Sequence, residues 1–269
     1  MRIAFALRRS KRLGRVDMKI SVLTVCWNSA ATIRHTIDSF LAQDHGDKEL
    51  LVIDGNSSDE TLSIVRSYPP DQIRLVSEPD SGMYDALNKG LGLYTGDAVG
   101  VLNSDDCFHD RTVLGRISAG LETADIVHGD LDFVENHLSK RVVRRWRAAA
   151  RPAKGFRTGW MPAHPTFYVR RTVAEAVGDF DLELKVASDY DWMLRAIELF
   201  GFKSALIDQV MIDMMQGGKS TNGIRSHVAH NFEALHSRRK WLGSGPVDYA
   251  LVAKPVRKVG QFIAARIGS

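Results

Sequence analysis

Cysteine is scarce in this chain of 269 residues: only Cys26 and Cys107 are present, with no Cys-x-x-Cys spacing. That excludes a disulfide framework and a cysteine-rich zinc site, and it fits a reducing cytoplasm. No His-Cys pattern surrounds Cys107, so a nucleophilic thiol is not expected. Long apolar runs are missing too, and none approaches the roughly 20 residues needed to cross a bilayer. Residues 1–17 are basic with one short apolar patch, Ile3 to Leu7. They lack the apolar core and the small-residue cleavage site of a signal peptide, and read as a basic extension or as an upstream start. Repeats and low-complexity tracts are absent, which leaves no sign of a repeat array or a disordered linker. Acids are absent between Lys140 and Arg157, and from Arg238 onward Asp248 is the only one. The formal net charge of +4 is therefore unevenly placed, and such stretches favour polyanions: nucleic acid, anionic lipid heads or pyrophosphate-bearing substrates.

What is present is an alternation. Ile20 to Val25, Leu50 to Ile53, Ile73 to Val76 and Ala98 to Leu102 are short β-branched runs that read as buried strands. Between them lie helical patterns. Asn28 and Ser29 look like a cap before a helix with Ile33, Ile37, Phe40 and Leu41 on one face. A turn over 55–59 caps a helix that runs to Arg66. Met83, Ala86, Leu87, Gly90, Leu91 and Tyr94 mark a third helix face. This spacing implies parallel βαβ units, hence an α/β, Rossmann-like doubly wound and mostly parallel sheet. After about residue 122 the pattern changes to a mixed β/α part. Strands are expected over 126–134, 141–146, 167–169 and 204–214, and helices over 189–200 and 222–241. The tail, Val247 to Ile267, mixes apolar and basic residues at helical spacing. Three regions follow: 1–17 as extension, 18–220 as one domain, and 221–269 as a basic helical tail.

Polar residues cluster where the first four strands end, the edge at which open α/β sheets bind ligands. The sharpest case is Asp105-Asp106, directly after an apolar strand. Two adjacent carboxylates repel, and a divalent cation with oxygen ligands is a natural partner. A solvated turn that caps the next helix is the plainer reading of the same pair.

Four ordered segments carry a resemblance. They are Ile20 to Asn28, Val52 to Thr61, Asp80 to Gly90, and Leu102 to Asp106. Together they resemble family 2 glycosyltransferases of the GT-A fold, in particular bacterial enzymes of exopolysaccharide, colanic-acid-type or O-antigen synthesis. The likeness covers roughly residues 18–220. It implies that Thr24 and Asn28 line the nucleotide pocket, that Asp54 accepts a hydrogen bond from the base, and that Asp80 and Asn88 lie beside ribose and diphosphate. Asn103 to Asp106 would be the DxD-type motif for Mg²⁺ or Mn²⁺. Asn103 stands where the family has its first Asp, which leaves Asp105 and Asp106 as metal ligands, with Asp105 also on the donor side. The segment Ala187 to Arg195 is similar to the one that carries the general base. Ser188 occupies the family's Glu position, and Asp189 matches the Asp and is the expected base. From spacing alone Asp189 reads first as a helix cap, and the resemblance reverses that; Asp191 is the neighbouring acid. His164 and Trp160 are expected on the acceptor side. His128 and Asp130 could line the same cleft, and Lys219, in a two-glycine loop, could close over the diphosphate.

The resemblance implies an inverting, metal-dependent transferase that takes a nucleotide-sugar donor, UDP-linked as first guess. Its acceptor would be a glycan or a polyprenyl-pyrophosphate carrier in bacterial cell-surface polysaccharide synthesis. Nucleic acid is not an expected partner. The place would be the cytoplasm, with peripheral attachment to the inner face of the membrane. Two other readings compete. A nucleotidyltransferase would show a glycine-rich basic loop after the first strand, and Thr24 to Asn28 is not one. A non-catalytic carbohydrate- or nucleic-acid-binding protein would have to tolerate several acidic strand-end loops on one face.

Overall fold

The computed structural model describes residues 18–215 and 224–243. The basic extension, the Lys219 loop and the tail beyond Gly243 lie outside the described residues. The first half is the expected alternation: β1 (Ile20–Cys26), α1 (Ile33–Leu41), β2 (Lys48–Asp54), α2 (Thr61–Arg66), β3 (Ile73–Ser77), α3 (Met83–Leu91) and β4 (Ala98–Val101). Then follow β5 (Asp106–Phe108), α4 (Val113–Leu121), β6 (Ile126–Val134), β7 (Val142–Trp146), β8 (Tyr168–Arg170), α5 (Arg171–Val177) and α6 (Ser188–Leu194). A π-helical turn over Arg195–Leu199 prolongs α6, and β9 (Ser204–Met215) and α7 (Ile224–Leu242) complete the order.

All the strands join one sheet in the order β3-β2-β1-β4-β8-β6-β9-β5, with β7 paired on β6. The pairs β1–β2, β2–β3 and β1–β4 are parallel. Beyond β4 the sheet is mixed: β8 runs antiparallel to both β4 and β6, β6 and β9 are parallel, and β5 is antiparallel to β9. The parallel first four strands and the mixed part that follows them are as expected. The sequence reading missed β5, because three residues after an acidic loop carry no strand pattern of their own.

Period-two alternation sorts β1 and β2 between two cores. Leu23, Val25, Leu51 and Ile53 face the side covered by α3, α5 and α6. Ile20, Val22, Leu50 and Val52 face α1 and α4. The chain leaves β1 toward β2 on one side and returns through β4 on the other, so the order reverses between β1 and β4. A crevice at the carboxyl ends of those strands is where such sheets take ligands.

The expected cap at Asn28 and Ser29 is not one. α1 starts at Ile33 with Thr32 as its N-cap residue, and no side chain caps it. Asn28 instead adopts a left-handed backbone, φ 50°, a conformation that Asn tolerates better than most residues. α7, the helix expected over 222–241, packs on α6. Glu233 accepts the backbone N–H groups of Lys185, Val186 and Ala187 at 3.1, 3.0 and 2.9 Å, just ahead of α6. Arg238, 1% exposed, donates to the Tyr190 hydroxyl at 2.8 Å. Among the described residues no helix is long and apolar enough to cross a membrane.

Candidate active site

The loops after β1 and β2 are stitched to one another. Asn28 Oδ1 accepts the Ser58 N–H at 2.9 Å, and the Asn28 N–H donates to Ser57 Oγ at 2.8 Å. Ser29 N–H reaches Thr61 Oγ1 at 2.7 Å, and Ala30 N–H reaches Asp59 Oδ2 at 3.1 Å. Asn28 is exposed, and its side chain fixes the loop after β2.

Asp54 differs from expectation. It is fully buried, and its oxygens accept from Ser57 N–H (3.0 Å), Ser57 Oγ (2.5 Å), Ser77 Oγ (2.7 Å) and the Cys26 thiol (3.6 Å). Four partners match the roughly four lone-pair sites of a carboxylate, so none is left for a base N–H. Its work is to hold the ends of β1, β2 and β3 abreast. Burial first, and then the Asp54 charge, raise the Cys26 pKa, so that thiol stays protonated.

Thr24 is likewise buried rather than lining a pocket. Its hydroxyl donates to the Leu102 carbonyl at 2.8 Å, which braces β1 against the loop that follows β4. Asp80 is half-buried and takes the Gly82 N–H at 2.9 Å. Its carboxylate lies so close over Gly55 that a β-carbon there would collide with it. Asn88 does not face the crevice through a free amide. It donates to the Phe180 carbonyl at 3.0 Å and accepts the Phe180 N–H at 2.8 Å.

The Asp105-Asp106 pair divides its labour. Asp105 is half-buried in the turn, whereas Asp106 is fully buried as the first residue of β5. Asp106 accepts from Asn103 Nδ2 at 2.9 Å, so the residue in place of the family's first Asp steadies the second acid. The other oxygen, Asp106 Oδ1, has no hydrogen-bond partner among the described residues. Burial, and then the neighbouring Asp105 charge, push the Asp106 carboxyl well above the usual range. An orphaned buried carboxylate oxygen next to a more exposed carboxylate fits a hard divalent cation. The described residues hold no group of three or more His, Cys, Asp or Glu placed to ligate a metal. Cys107, one residue on, has its thiol pushed up to about 12, chiefly by burial, which agrees with an inert thiol.

On the other side, α6 presents Asp189. The helix is capped by Ala187, so Asp189 is not the cap residue. Its carboxylate is half-buried, and Oδ1 accepts the Tyr190 N–H at 2.8 Å and the Tyr84 hydroxyl at 3.2 Å. Asp191, two residues on, points into the interior. It pairs with Arg195 Nε at 2.8 Å and accepts Trp241 Nε1–H at 2.8 Å, with its side chain 2% exposed. Removing one partner of such a buried pair leaves an uncompensated charge. Asp191→Ala is expected to destabilise the fold by about 3–5 kcal/mol, read as a lowered denaturant midpoint; an unchanged midpoint would contradict this.

His164 sits in a 3-10 turn beside this centre, its ring edge-on to Phe180 at 5.9 Å. Desolvation lowers its pKa, and the Asp189 charge pulls the other way, which puts the two side chains in electrostatic reach. Trp160 is a correction. Only 6% exposed, it packs edge-on to His128 and Phe156 and donates Nε1–H to the Ala149 carbonyl at 2.8 Å. It belongs to the core and offers no face to a sugar. His128 is buried as well, which lowers its pKa to about 4. Asp130 anchors the segment after β7, through Arg147 at 2.5 Å and the Ala148 N–H at 2.7 Å.

Several basic side chains of the acid-free stretch from Lys140 pair with acids while staying largely exposed. Lys140 pairs with Asp213, Arg141 with Glu135, Arg145 with Asp132, Arg147 with Asp130 and Arg151 with Glu198. Arg144 lies 3.5 Å over the Phe133 ring.

Sequence reasoning assigned no role to Tyr84, Phe180 or Glu233. Tyr84 stood inside the quoted Asp80 to Gly90 segment, which was the one available signal. Phe180 stacks on both Tyr84 (5.8 Å) and Trp192 (5.5 Å), a contact across distant segments that no local pattern reports.

The model of glycosyl transferase family 2 matches residues 21–178. The chain belongs to that family. It is a glycosyltransferase. Among curated relatives, a PGL/p-HBAD biosynthesis glycosyltransferase of Mycobacterium bovis is 29% identical over 181 residues, which is 65% of this chain and 68% of that protein. An uncharacterized glycosyltransferase of Nostoc is 33% identical over 113 residues, 41% of this chain and 35% of the relative. Among solved structures, S. aureus TarS 1–349 in complex with UDP-GlcNAc superposes with a TM-score of 0.66 at 19% identity, over 87% of this chain and 69% of that one. A mannosyltransferase from Pyrobaculum calidifontis, in complex with GDP-Man and Mn²⁺, gives a TM-score of 0.58 at 16% identity, over 94% and 83%. These likenesses establish the GT-A fold for this family 2 member.

Proposed function

We propose that this family 2 glycosyltransferase is an inverting enzyme that takes a nucleotide-sugar donor, with Asp189 as general base. The observation that carries the reading is the hydrogen bond from Tyr84 to Asp189. It joins the helix that opens from the Asp80-Ser-Gly turn to the only acid of α6 that is not sunk in the interior. In the reaction, Asp189 takes the proton of an acceptor hydroxyl as that oxygen attacks C1 of the sugar. The C1–O bond to the diphosphate breaks on the opposite face, and the nucleoside diphosphate leaves with the electron pair. One displacement gives one inversion of configuration.

Asn28, Asp80 and Asp105 edge the donor crevice. Asp105, backed by the unpartnered oxygen of Asp106, would hold Mg²⁺ or Mn²⁺, which when bound neutralises charge on the departing diphosphate. The Mn²⁺ complex of the archaeal mannosyltransferase supports the same choice of ion. UDP is the first donor to test, since UDP-GlcNAc is bound in a structural relative. A glycan or lipid-linked acceptor in cell-surface polysaccharide or glycolipid synthesis is the class we favour, supported by the PGL/p-HBAD relative.

The experiment is a panel of UDP-, GDP- and dTDP-sugars with Mn²⁺, with water or a simple glycoside as acceptor, read as release of nucleoside diphosphate. Release from one sugar, with an inverted product anomer, is expected. Silence across the panel, or a product that retains the donor's configuration, would overturn the proposal.

A further inference from the structure

We propose that Tyr84 is the positioning residue of the catalytic base: its phenol holds one oxygen of Asp189 so that the other faces the acceptor. The inference rests on Asp189 being the base. Three observations carry it. First, the bonds to the carboxylate are one-sided. Oδ1 takes both the Tyr84 hydroxyl, 3.2 Å, and the Tyr190 N–H, 2.8 Å, while Oδ2 has no hydrogen bond among the described residues. Turning the carboxylate about its terminal torsion would break both bonds, so Oδ2 stays as the oxygen available to take a proton.

Second, the phenol is itself fixed. Tyr84 is 7% exposed, and its ring stacks on Phe180 at 5.8 Å. Phe180 is clamped through its backbone by both ends of the Asn88 amide, one turn further along the same α3. Asn88 thus serves the centre indirectly, through the ring against which Tyr84 rests.

Third, the phenol remains a donor. Burial, followed by the Asp189 charge, raises its pKa above the ordinary tyrosine value, so the hydroxyl keeps its proton. In the transfer step Tyr84 gives up nothing. The acceptor proton passes to Asp189 Oδ2, and the Tyr84 O–H stays on Oδ1. Tyr84 also lies two residues after Gly82, whose φ of 122° shapes the turn at the donor edge. The residue that aims the base is thus built into the element that begins at the donor.

Tyr84→Phe keeps the ring, the stacking and the volume, and removes only the hydroxyl. The probe is release of nucleoside diphosphate from the nucleotide sugar that the wild type turns over fastest, with Mn²⁺ and water as acceptor. Tyr84→Phe should lower kcat by about 10–100-fold, the scale of one lost hydrogen bond to a charged group. The donor KM and the melting temperature should stay near wild type. The decisive reading is the double variant. If Tyr84 acts through the carboxylate, Tyr84→Phe placed on Asp189→Asn should cost less than about threefold, because there is no base left to aim. A full 10–100-fold loss in that background, or wild-type kcat in the single variant, would overturn the inference. An Asp189→Asn enzyme with wild-type turnover would instead overturn the assignment of the base, so the two failures are told apart.

Discussion

Asp189→Asn should cut sugar transfer by about 10²–10⁴-fold, the usual contribution of a positioned proton acceptor, while nucleotide affinity holds. The substitution keeps the side chain's shape and an oxygen for Tyr84 and Tyr190 to bond, so the local structure has no reason to change. It removes the basic oxygen alone. Transfer is followed by nucleoside diphosphate release, and binding by calorimetry with UDP or GDP plus Mn²⁺. Near-normal turnover would refute the mechanism. A parallel loss of nucleotide binding would recast Asp189 as a donor ligand. Asp191 provides the contrast: its substitution acts on stability, through Arg195 and Trp241.

Loss of the ion should be as severe. Excess EDTA is expected to abolish activity, and Asp105→Ala to remove the Mn²⁺-dependent part of nucleotide affinity. Without the ion, the diphosphate would face two neighbouring carboxylates. An ion that binds only the folded state raises the melting temperature in proportion to its binding free energy. Mn²⁺ with UDP should therefore stabilise the wild type, and should do so much less in Asp105→Ala. Asp106→Ala should lose activity as well, since it deletes the carboxylate that Asn103 orients under the turn. Full activity in EDTA or in Asp106→Ala would sink the metal proposal.

The parts of this architecture that follow local rules could be read from the chain. The β-branched runs of β1 to β4 and the apolar faces of α1 and α3 gave the first half of the sheet, and the Asp105-Asp106 pair stands in the turn after β4 as read. What escaped were decisions made between distant residues. Thr24 and Asp54 are polar groups at strand ends, which in sequence look the same whether they face a ligand or a neighbouring strand. Burial directs the Thr24 hydroxyl to Leu102 and surrounds Asp54 with Ser57, Ser77 and Cys26. Trp160 has the composition of a sugar platform, but its indole N–H finds the Ala149 carbonyl in the interior. The basic run after Lys140 meets acids from β6, the strand just before it, and from β9 and the π-helical turn, which lie far away in sequence.

The contacts between α7 and α6 set an order on the protein's birth. Residues 233–241 leave the ribosome about 50 positions after Asp189. Until they do, Asp191 lacks its indole partner, and the three N–H groups ahead of α6 lack the Glu233 carboxylate. Domains assemble on the nascent chain as their segments emerge. The half that holds β1 to β4, with its near-neighbour strand pairings, can close early, and the half that presents Asp189 has to wait for the last described helix. On the proposed mechanism, a stalled chain released before that helix would carry a finished donor side and an unsettled base, able to hold a donor before it can use one.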